Sequence, residues 1–280
     1  MKRRNKPLEL SSVSFFSYDE ENALERNREM IAQSNLKDGK LPEAVHVEWE
    51  RPGGVRAAHM IRQGSPDGKL MLHIHGGGWI SGVPCTGQRA FAEIVDETGV
   101  DLYSVDYRLA PEHPYPAALE DCIAVYTGLL EKGYNPDNIV LIGESAGGNL
   151  CLALGLYLKD NGIPLPGGMA LISPAGLLRE PLQGEAAMYV GNADCTDPYI
   201  SPQNGDFHGF PPVLLQFGGS EFLKRDGAEL TYRLMRAGVD TLAHTWEFMP
   251  HVFVLMQDEI PEAGPAKREI TEFIKKILEI

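Results

Sequence analysis

Short apolar runs alternate with segments of helical periodicity along most of the chain. The apolar runs span residues 70–75, 102–106, 139–142, 169–172, 213–217 and 244–248. Apolar positions recur at helical spacing within residues 88–97, 117–130, 148–158, 224–236 and 266–278. Runs this short and this apolar are typical of strands that are buried on both faces. Strands separated by helices predict a mostly parallel central sheet with helices on both faces, which is the α/β class.

Two stretches interrupt this alternation. Residues 18–33 form a polar helical pattern ahead of the first apolar run, and residues 174–212 are rich in Gly, Pro and Asn with little periodicity. A loop as long as the second stretch is usually functional, often as a lid or a binding loop. We therefore expect an N-terminal cap segment over 1–45, a core over 46–173 and 213–280, and a cap or lid insertion over 174–212. A surface excursion without function is the alternative.

The composition is that of a folded, acidic protein. Hydrophobic residues make up 43% of the 280 residues, which excludes a disordered chain. The 25 Lys and Arg against 39 Asp and Glu give a net charge of −14, which repels nucleic acid and anionic membranes. The basic cluster Lys2-Arg3-Arg4 is not followed by the apolar run of a signal peptide, and no window of 18 apolar residues exists. We expect binding to neither nucleic acid nor membrane.

The cysteines are consistent with a reducing environment. They are Cys85, Cys122, Cys151 and Cys195. None forms a CxxC pair, so we interpret all four as reduced thiols. Reduced thiols without a targeting segment favour a cytoplasmic location.

The segment Gly143-Glu144-Ser145-Ala146-Gly147 has the form GxSxG. It follows an apolar run and precedes a helical pattern, which is the strand–turn–helix context of a nucleophile elbow. The glycines are needed because so tight a turn leaves no room for a Cβ on either side of the serine. The turn would lift the Ser145 hydroxyl above the sheet, at the positive end of the following helix. Ser145 is therefore the candidate nucleophile.

A run of glycines ends an earlier strand, in His75-Gly76-Gly77-Gly78-Trp79. Successive glycines let the backbone approach a substrate and point N–H groups at a developing oxyanion. Gly77, Gly78 and Ala146 are the candidate donors. The pairing of such a run with GxSxG is typical of lipases and esterases.

An activated serine needs a base, and the base needs an orienting carboxylate. In this architecture the chain order is serine, acid, histidine. Three histidines follow the serine: His208, His244 and His251. His251 is favoured because it follows a predicted strand and the turn at 249–250, where a loop reaches the top of the sheet. His244 lies within the predicted strand, and His208 lies in the predicted cap.

The acid is expected in the loop after the strand predicted at 213–217. Glu221 is the first carboxylate in that loop, and Asp226 follows five residues later inside a predicted helix. A glutamate orients an imidazole as an aspartate does, with one more methylene of reach. Glu221 is the favoured acid, and Asp226 stays open as the alternative.

Five segments together resemble the hormone-sensitive-lipase-like branch of the α/β-hydrolases, the bacterial carboxylesterases. They are residues 75–79, 106–112, 143–149, 197–202 and 250–253. The resemblance extends from about residue 45 to the C-terminus and implies an α/β-hydrolase fold with a small cap. By position it makes Ser145 the nucleophile, His251 the base, and Gly77, Gly78 and Ala146 the oxyanion hole.

Two positions depart from the pattern of that family. Glu144 stands before the serine where the family usually has Asp, and Glu221 stands where the family's acid is usually Asp. Neither departure removes a charge that the chemistry requires.

The resemblance implies a serine esterase that hydrolyses short acyl esters of small molecules without a cofactor, and it permits a homodimer. Hydrolysis of an amide or N-acyl group by the same residues stays open. A non-catalytic receptor on the same fold is a further alternative, although the presence of His251 argues against it. His73 and His75 could bind a metal as a pair, but no third ligand cluster of suitable spacing follows, so no metal is expected.

Overall fold

The structure is a computed structural model that describes residues 22, 24–26, 28–30, 33, 41–66, 68–84, 88–256 and 259–280. These residues form one eight-stranded sheet of order β1-β2-β4-β3-β5-β6-β7-β8. The strands are β1 (Val45–Glu50), β2 (Ala57–Arg62), β3 (Leu70–Ile74), β4 (Asp101–Val105), β5 (Ile139–Glu144), β6 (Gly168–Ile172), β7 (Val213–Gly218) and β8 (Thr241–Trp246). All neighbouring pairs from β4 to β8 are parallel.

Helices cover both faces of the sheet. They are α1 (Gln88–Thr98), α2 (Ala117–Glu131), α3 (Ala146–Asp160), α4 (Gly184–Val190), α5 (Lys224–Arg236) and α6 (Ala263–Leu278). Along β3, Leu72 and Ile74 join the core beneath α2, α3 and α5, whereas Met71 joins the core beneath α1 and α6. A strand whose two faces are both buried must be apolar throughout, which explains the continuous runs in the sequence. The predicted α/β class and its parallel sheet are confirmed.

The register of the central strands brings the two glycine-containing motifs together. Ile74 of β3 lies opposite Gly143 of β5, and the two strands run in the same direction. The segments that follow them therefore leave the sheet at the same edge. The ends of β6 and β7 reach that edge as well. Ligands in open parallel sheets bind beyond the carboxyl ends of the strands, which is where these four segments meet.

The strands on the two outer sides of the sheet were predicted wrongly. No strand was predicted before residue 70, yet β1 and β2 form an antiparallel pair there. The last strand was predicted at 244–248 but occupies Thr241–Trp246. It is an edge strand whose residues are all half-buried or exposed, so a search for continuous apolar runs placed it too late. Helix α3 also begins earlier than predicted, directly after Ser145.

The N-terminal cap segment predicted over 1–45 lies largely outside the described residues. Among the residues described within it, 24–26, 28–30 and 33 are helical, as the pattern over 18–33 predicted. The basic residues 2–4 and Cys85 also lie outside the described part. Three further cysteines are buried free thiols: Cys122, Cys151 and Cys195. Within the described ranges, no helix combines the length and apolarity needed to cross a membrane.

Candidate active site

Ser145 occupies a sharp turn between β5 and α3. Its backbone has φ 53° and ψ −117°, a conformation that a non-glycine residue rarely adopts. A Cβ on Gly147 would lie 1.9 Å from the Ile74 carbonyl oxygen, and one on Gly143 would lie 2.8 Å from the Gly147 carbonyl. Both glycines of the motif are therefore required by close backbone contacts. Strain of this kind is typical of functional turns.

His251 lies against Ser145 although 106 positions separate the two residues in the chain. The His251 Nε2 atom is 2.9 Å from the Ser145 Oγ atom. The imidazole side chain is 23% exposed, so one edge of it remains accessible. The ring also contacts Phe222, with the two ring centroids 5.0 Å apart. A neutral imidazole with its hydrogen on Nδ1 accepts the serine proton at Nε2 in this geometry.

Glu221 lies on the far side of the His251 ring. Its Oε2 atom is 3.5 Å from His251 Nδ1, and its side chain is fully buried. The same oxygen accepts a hydrogen bond from Ser173 Oγ at 2.6 Å and one from the Gly218 N–H at 3.1 Å. The Nδ1 contact has the distance of an ion pair rather than that of a hydrogen bond. Catalytic contacts of this kind tighten in the substrate complex.

The alternative candidates are engaged elsewhere. Asp226 forms a two-pronged ion pair with Arg179, at 2.7 and 2.8 Å. His244 lies on strand β8, and its Nδ1 is 3.0 Å from Glu269. The His208 ring is exposed and pairs with its near neighbour Asp206. The structure therefore brings Ser145, His251 and Glu221 together and leaves the alternatives apart.

The glycine run, residues 76–78, packs directly on the Ser145 turn. A Cβ on Gly76 would lie 2.9 Å from the Glu144 carbonyl oxygen and 3.3 Å from the Ser145 Cβ. Gly77 and Gly78 both have positive φ, at 111° and 63°, which other residues adopt only with strain. Ala146 is the first residue of α3, so its N–H has no partner within the helix. The three predicted oxyanion donors thus belong to segments that flank Ser145.

His75 is a buried structural support of the glycine run. Its Nδ1 lies 2.8 Å from the Gly76 carbonyl oxygen, and its ring stacks on Tyr107 at a centroid distance of 4.2 Å. The Tyr107 hydroxyl donates to the His75 carbonyl oxygen at 2.8 Å. Burial lowers the pKa of His75 to about 3, so the imidazole is neutral at physiological pH. These contacts give the segment 106–112 a role in holding the glycine run.

The segment 174–212, which was predicted as a cap or lid insertion, contacts the glycine run and Trp79. The ring of Tyr189 in α4 stacks on Trp79 with centroids 4.5 Å apart. The Glu185 side chain also fills the space where a Cβ on Gly78 would lie, with its Cγ 2.9 Å from that position. Asn149 of α3 donates to the Ala175 carbonyl oxygen at 2.7 Å, which fixes the start of this segment beside the Ser145 turn.

Arg28, one of the helical residues 28–30, contacts the same region. Its guanidinium donates to the carbonyl oxygens of Ile80 and Ala110 at 2.6 and 2.9 Å. It also forms a two-pronged ion pair with Glu112, at 2.6 and 2.7 Å. These hydrogen bonds lower the pKa of Glu112 to about 2. Arg28 therefore links the helical residues 28–30 to the chain just beyond Trp79.

Sequence reasoning missed Ser173. This residue is buried, has φ 49°, donates to Glu221 and accepts a hydrogen bond from the Val252 N–H at 3.3 Å. It therefore contacts both the acid and the residue after His251. The available signal was its position as the first residue after β6, a strand that leads to the same sheet edge as β5 and β7.

The described residues contain no group of three or more His, Cys, Asp and Glu arranged to hold a metal ion. His73 uses both ring nitrogens for other contacts. Its Nδ1 lies 2.8 Å from Ser104 Oγ, and its Nε2 lies 2.9 Å from Glu144.

Comparison with known proteins is consistent with this geometry. A family model described as the alpha/beta hydrolase fold matches residues 71–255. An acetyl-hydrolase from Streptomyces hygroscopicus is 32% identical, and the match covers 90% of this chain and 88% of that protein. An esterase from Acinetobacter venetianus is 34% identical over 82% of each chain.

A solved structure gives the same result. The crystal structure of a hormone-sensitive lipase from a metagenome library superposes with a TM-score of 0.86, at 33% identity over 91% of each chain. The predicted resemblance and fold are confirmed by these matches. The chain belongs to the hormone-sensitive-lipase-like, bacterial carboxylesterase branch of the α/β-hydrolase superfamily, and it is a carboxylic ester hydrolase.

Proposed function

We propose that the protein hydrolyses short-chain acyl esters through a covalent acyl-enzyme formed on Ser145. The observation that carries this proposal is the 2.9 Å contact between His251 Nε2 and Ser145 Oγ. That contact joins two segments distant in sequence at the sheet edge where the glycine run also lies. A serine hydroxyl is a weak nucleophile until an adjacent base takes its proton.

Acylation begins when the Ser145 oxygen attacks the ester carbonyl carbon and its proton passes to His251. The carbonyl oxygen becomes an oxyanion, which the N–H groups of Gly77, Gly78 and Ala146 stabilise. One such donor contributes about 2.7–4 kcal/mol to the transition state. Glu221 stabilises the imidazolium that forms.

Collapse of the tetrahedral intermediate breaks the bond to the alcohol. His251 gives its proton to the departing alkoxide, which leaves as the free alcohol and an acyl group on Ser145. A water molecule then repeats the sequence: it loses a proton to His251, attacks the acyl carbon and releases the carboxylic acid. The Ser145 oxygen recovers its proton from His251. Neither acylation nor deacylation uses a cofactor.

Two observations support a small acyl group and a covering role for the insertion. The Streptomyces relative is named an acetyl-hydrolase, which suggests an acyl group of two carbons. Tyr189 and Glu185 of the insertion lie directly on Trp79 and Gly78, so the insertion limits the space above the glycine run. We assign residues 174–212 the role of a cap on this basis.

The test is hydrolysis of 4-nitrophenyl acetate, butyrate, octanoate and palmitate by the wild type and Ser145→Ala. A matched control is Ser65→Ala, at the opposite end of the sheet, where the hydroxyl binds Asp101 and the Arg62 carbonyl oxygen. We expect the fastest reaction with acetate or butyrate, its loss in Ser145→Ala, and its retention in Ser65→Ala.

Each contrary outcome points to a different error. Equal activity of the wild type and Ser145→Ala would mean that another residue is the nucleophile. A maximum at palmitate would refute the short-chain assignment alone. Hydrolysis of 4-nitroacetanilide in preference to every ester would reassign the protein as an amide hydrolase with the same residues.

A further inference from the structure

Glu144 has a buried carboxylate that takes no part in the proposed mechanism. It directly precedes Ser145, and its side chain is 3% exposed. Oε1 accepts a hydrogen bond from the Gly76 N–H at 2.7 Å, and Oε2 lies 2.9 Å from His73 Nε2. The two oxygens therefore join the residue before the nucleophile to two points on β3 and its following loop.

The hydrogen bonds continue beyond His73, which is completely buried. Its Nδ1 lies 2.8 Å from Ser104 Oγ on β4, and its ring packs on Phe91 with centroids 3.9 Å apart. With its hydrogen on Nε2, His73 donates a hydrogen bond to Glu144 and accepts one at Nδ1 from the Ser104 hydroxyl. The result is a continuous chain of hydrogen bonds across three neighbouring strands, from Ser104 to Gly76.

Gly76 is the residue on which this chain of contacts ends. It is buried, and Gly77, the first predicted oxyanion donor, follows it directly. A buried N–H that loses its acceptor is destabilising, so the Gly76 N–H follows the Glu144 carboxylate when that group moves. The position of the glycine run relative to Ser145 is thus tied to one side chain.

We propose that Glu144 is a positioning residue that sets the distance between Ser145 and the N–H groups of Gly77 and Gly78, with His73 and Ser104 holding its carboxylate in place. This inference rests on the proposed function of Ser145 and the glycine run. It assigns to the hydrogen-bonded chain a role in transition-state stabilisation and none in proton transfer.

The length of the Glu144 side chain determines whether the contacts with Gly76 and His73 can form together. The Glu144 Cγ lies 3.2 Å from the point where a Cβ on Gly76 would be, so the methylene groups fill the gap between turn and loop. An aspartate is one methylene shorter and cannot keep both the Gly76 and His73 contacts unless the loop moves. A glutamine has the same length, accepts from Gly76 with its oxygen, and donates to His73 once that ring carries its hydrogen on Nδ1.

The experiment compares Glu144→Asp with Glu144→Gln. We expect Glu144→Asp to lower kcat on 4-nitrophenyl butyrate about 10- to 100-fold, since loss of one whole oxyanion donor costs about 100- to 1,000-fold. KM should change less than about threefold. The inhibition constant of an alkyl trifluoromethyl ketone, whose adduct carries an oxyanion, should rise by the same factor as kcat falls. Glu144→Gln should stay within about fivefold of the wild type in all three measurements.

A matched control is Glu269→Asp. Glu269, in α6, also pairs with a histidine at 3.0 Å, but that histidine is His244 on the edge strand β8. The same shortening there should leave kcat and the inhibition constant unchanged. Thermal unfolding of each variant separates a loss of fold from a loss of positioning.

The proposal is overturned if Glu144→Asp keeps the wild-type kcat and inhibition constant, or if Glu144→Gln loses as much of both as Glu144→Asp does. Should Glu144→Asp not fold, Ser104→Ala decides, because it removes the hydroxyl that contacts His73 and leaves the Glu144 side chain intact. A rise of about three- to tenfold in its inhibition constant supports the proposal, and an unchanged constant overturns it. Failure of the proposed function itself would be seen separately, as equal activity of wild type and Ser145→Ala.

Discussion

Two buried glutamates flank Ser145, and each lies beside a histidine. Glu144 Oε2 is 2.9 Å from His73 Nε2, and that histidine side chain is 0% exposed. Glu221 Oε2 is 3.5 Å from His251 Nδ1, and that histidine side chain is 23% exposed. The residue types in the two pairs are the same, but their surroundings differ.

The difference lies in the hydrogen bonds that remain open. Both oxygens of Glu144 have partners, and so do both ring nitrogens of His73. By contrast, Glu221 Oε1 and His251 Nδ1 lack a hydrogen-bond partner among the described residues. A base must change its charge during each turnover, and its partner must respond to that change. The Glu221–His251 pair, which has polar atoms without a hydrogen-bond partner, suits proton transfer. The Glu144–His73 pair, in which every side-chain oxygen and ring nitrogen has a partner, suits the fixing of a loop.

The largest expected effect in this comparison is that of Glu221→Gln. Loss of the carboxylate removes the charge that stabilises the His251 cation, so kcat/KM should fall about 10,000-fold. Steady-state hydrolysis of 4-nitrophenyl butyrate measures this fall. Asp226→Asn is the control, because Asp226 pairs with Arg179 and lies outside the contacts of His251. A large loss in Asp226→Asn with little loss in Glu221→Gln would reverse the assignment of the acid.

Ser173→Ala, next to the same Glu221–His251 pair, should have a smaller effect on kcat. Its hydroxyl donates to the Glu221 carboxyl group, and a hydrogen bond to a charged group contributes about 1.5–3 kcal/mol. If the whole contribution were lost in the transition state, kcat would fall about 10- to 150-fold, which is the upper bound of the expected effect. Ser201→Ala is a matched control, since Ser201 is also buried, donates to the Cys195 carbonyl oxygen and accepts from the Leu178 N–H. Equal kcat values for the two variants would show that Ser173 does not position Glu221.

His75, which supports the glycine run, should make the free energy of unfolding depend on pH in the acid range. The unfolded chain takes up a proton on this imidazole near pH 6.5, whereas the folded chain does so only at about pH 3. Acid therefore favours unfolding through this range, and the contribution of His75 falls by about 2 kcal/mol between pH 7 and pH 5. Urea unfolding at both pH values measures the loss, which His75→Asn should reduce. An identical loss in wild type and variant would contradict the burial argument.

The smallest expected effect is that of Arg28→Lys. A lysine cannot reproduce the two-pronged contact with Glu112 together with the bonds to Ile80 and Ala110. Because the ion pair is partly exposed, we expect a loss of about 1 kcal/mol in the free energy of unfolding. The loss should shrink in 1 M salt, as urea titrations at low and high salt would show. A loss that does not depend on salt would assign the stabilisation to packing.

Sequence patterns predicted the two motifs well because each depends on local backbone geometry. The turn at Ser145 needs glycines wherever it occurs, and a parallel sheet needs apolar strands. The position of Ser173 directly after β6 was visible in the sequence. Its contacts and those of Glu144 were missed because they depend on the register of neighbouring strands, which no local pattern encodes. Strand β8 was misplaced for a different reason, since none of its residues is fully buried and it lacks the continuous apolar run of a central strand.

The most direct test of the account is covalent labelling with an alkyl fluorophosphonate. The serine oxygen attacks phosphorus and fluoride leaves, so only a serine activated by its base is labelled. We predict one label for each wild-type chain, located by peptide mass spectrometry on Ser145, and none on Ser145→Ala. Rapid labelling of another residue, or equal labelling of the wild type and Ser145→Ala, would contradict the central claim that the His251 contact activates Ser145.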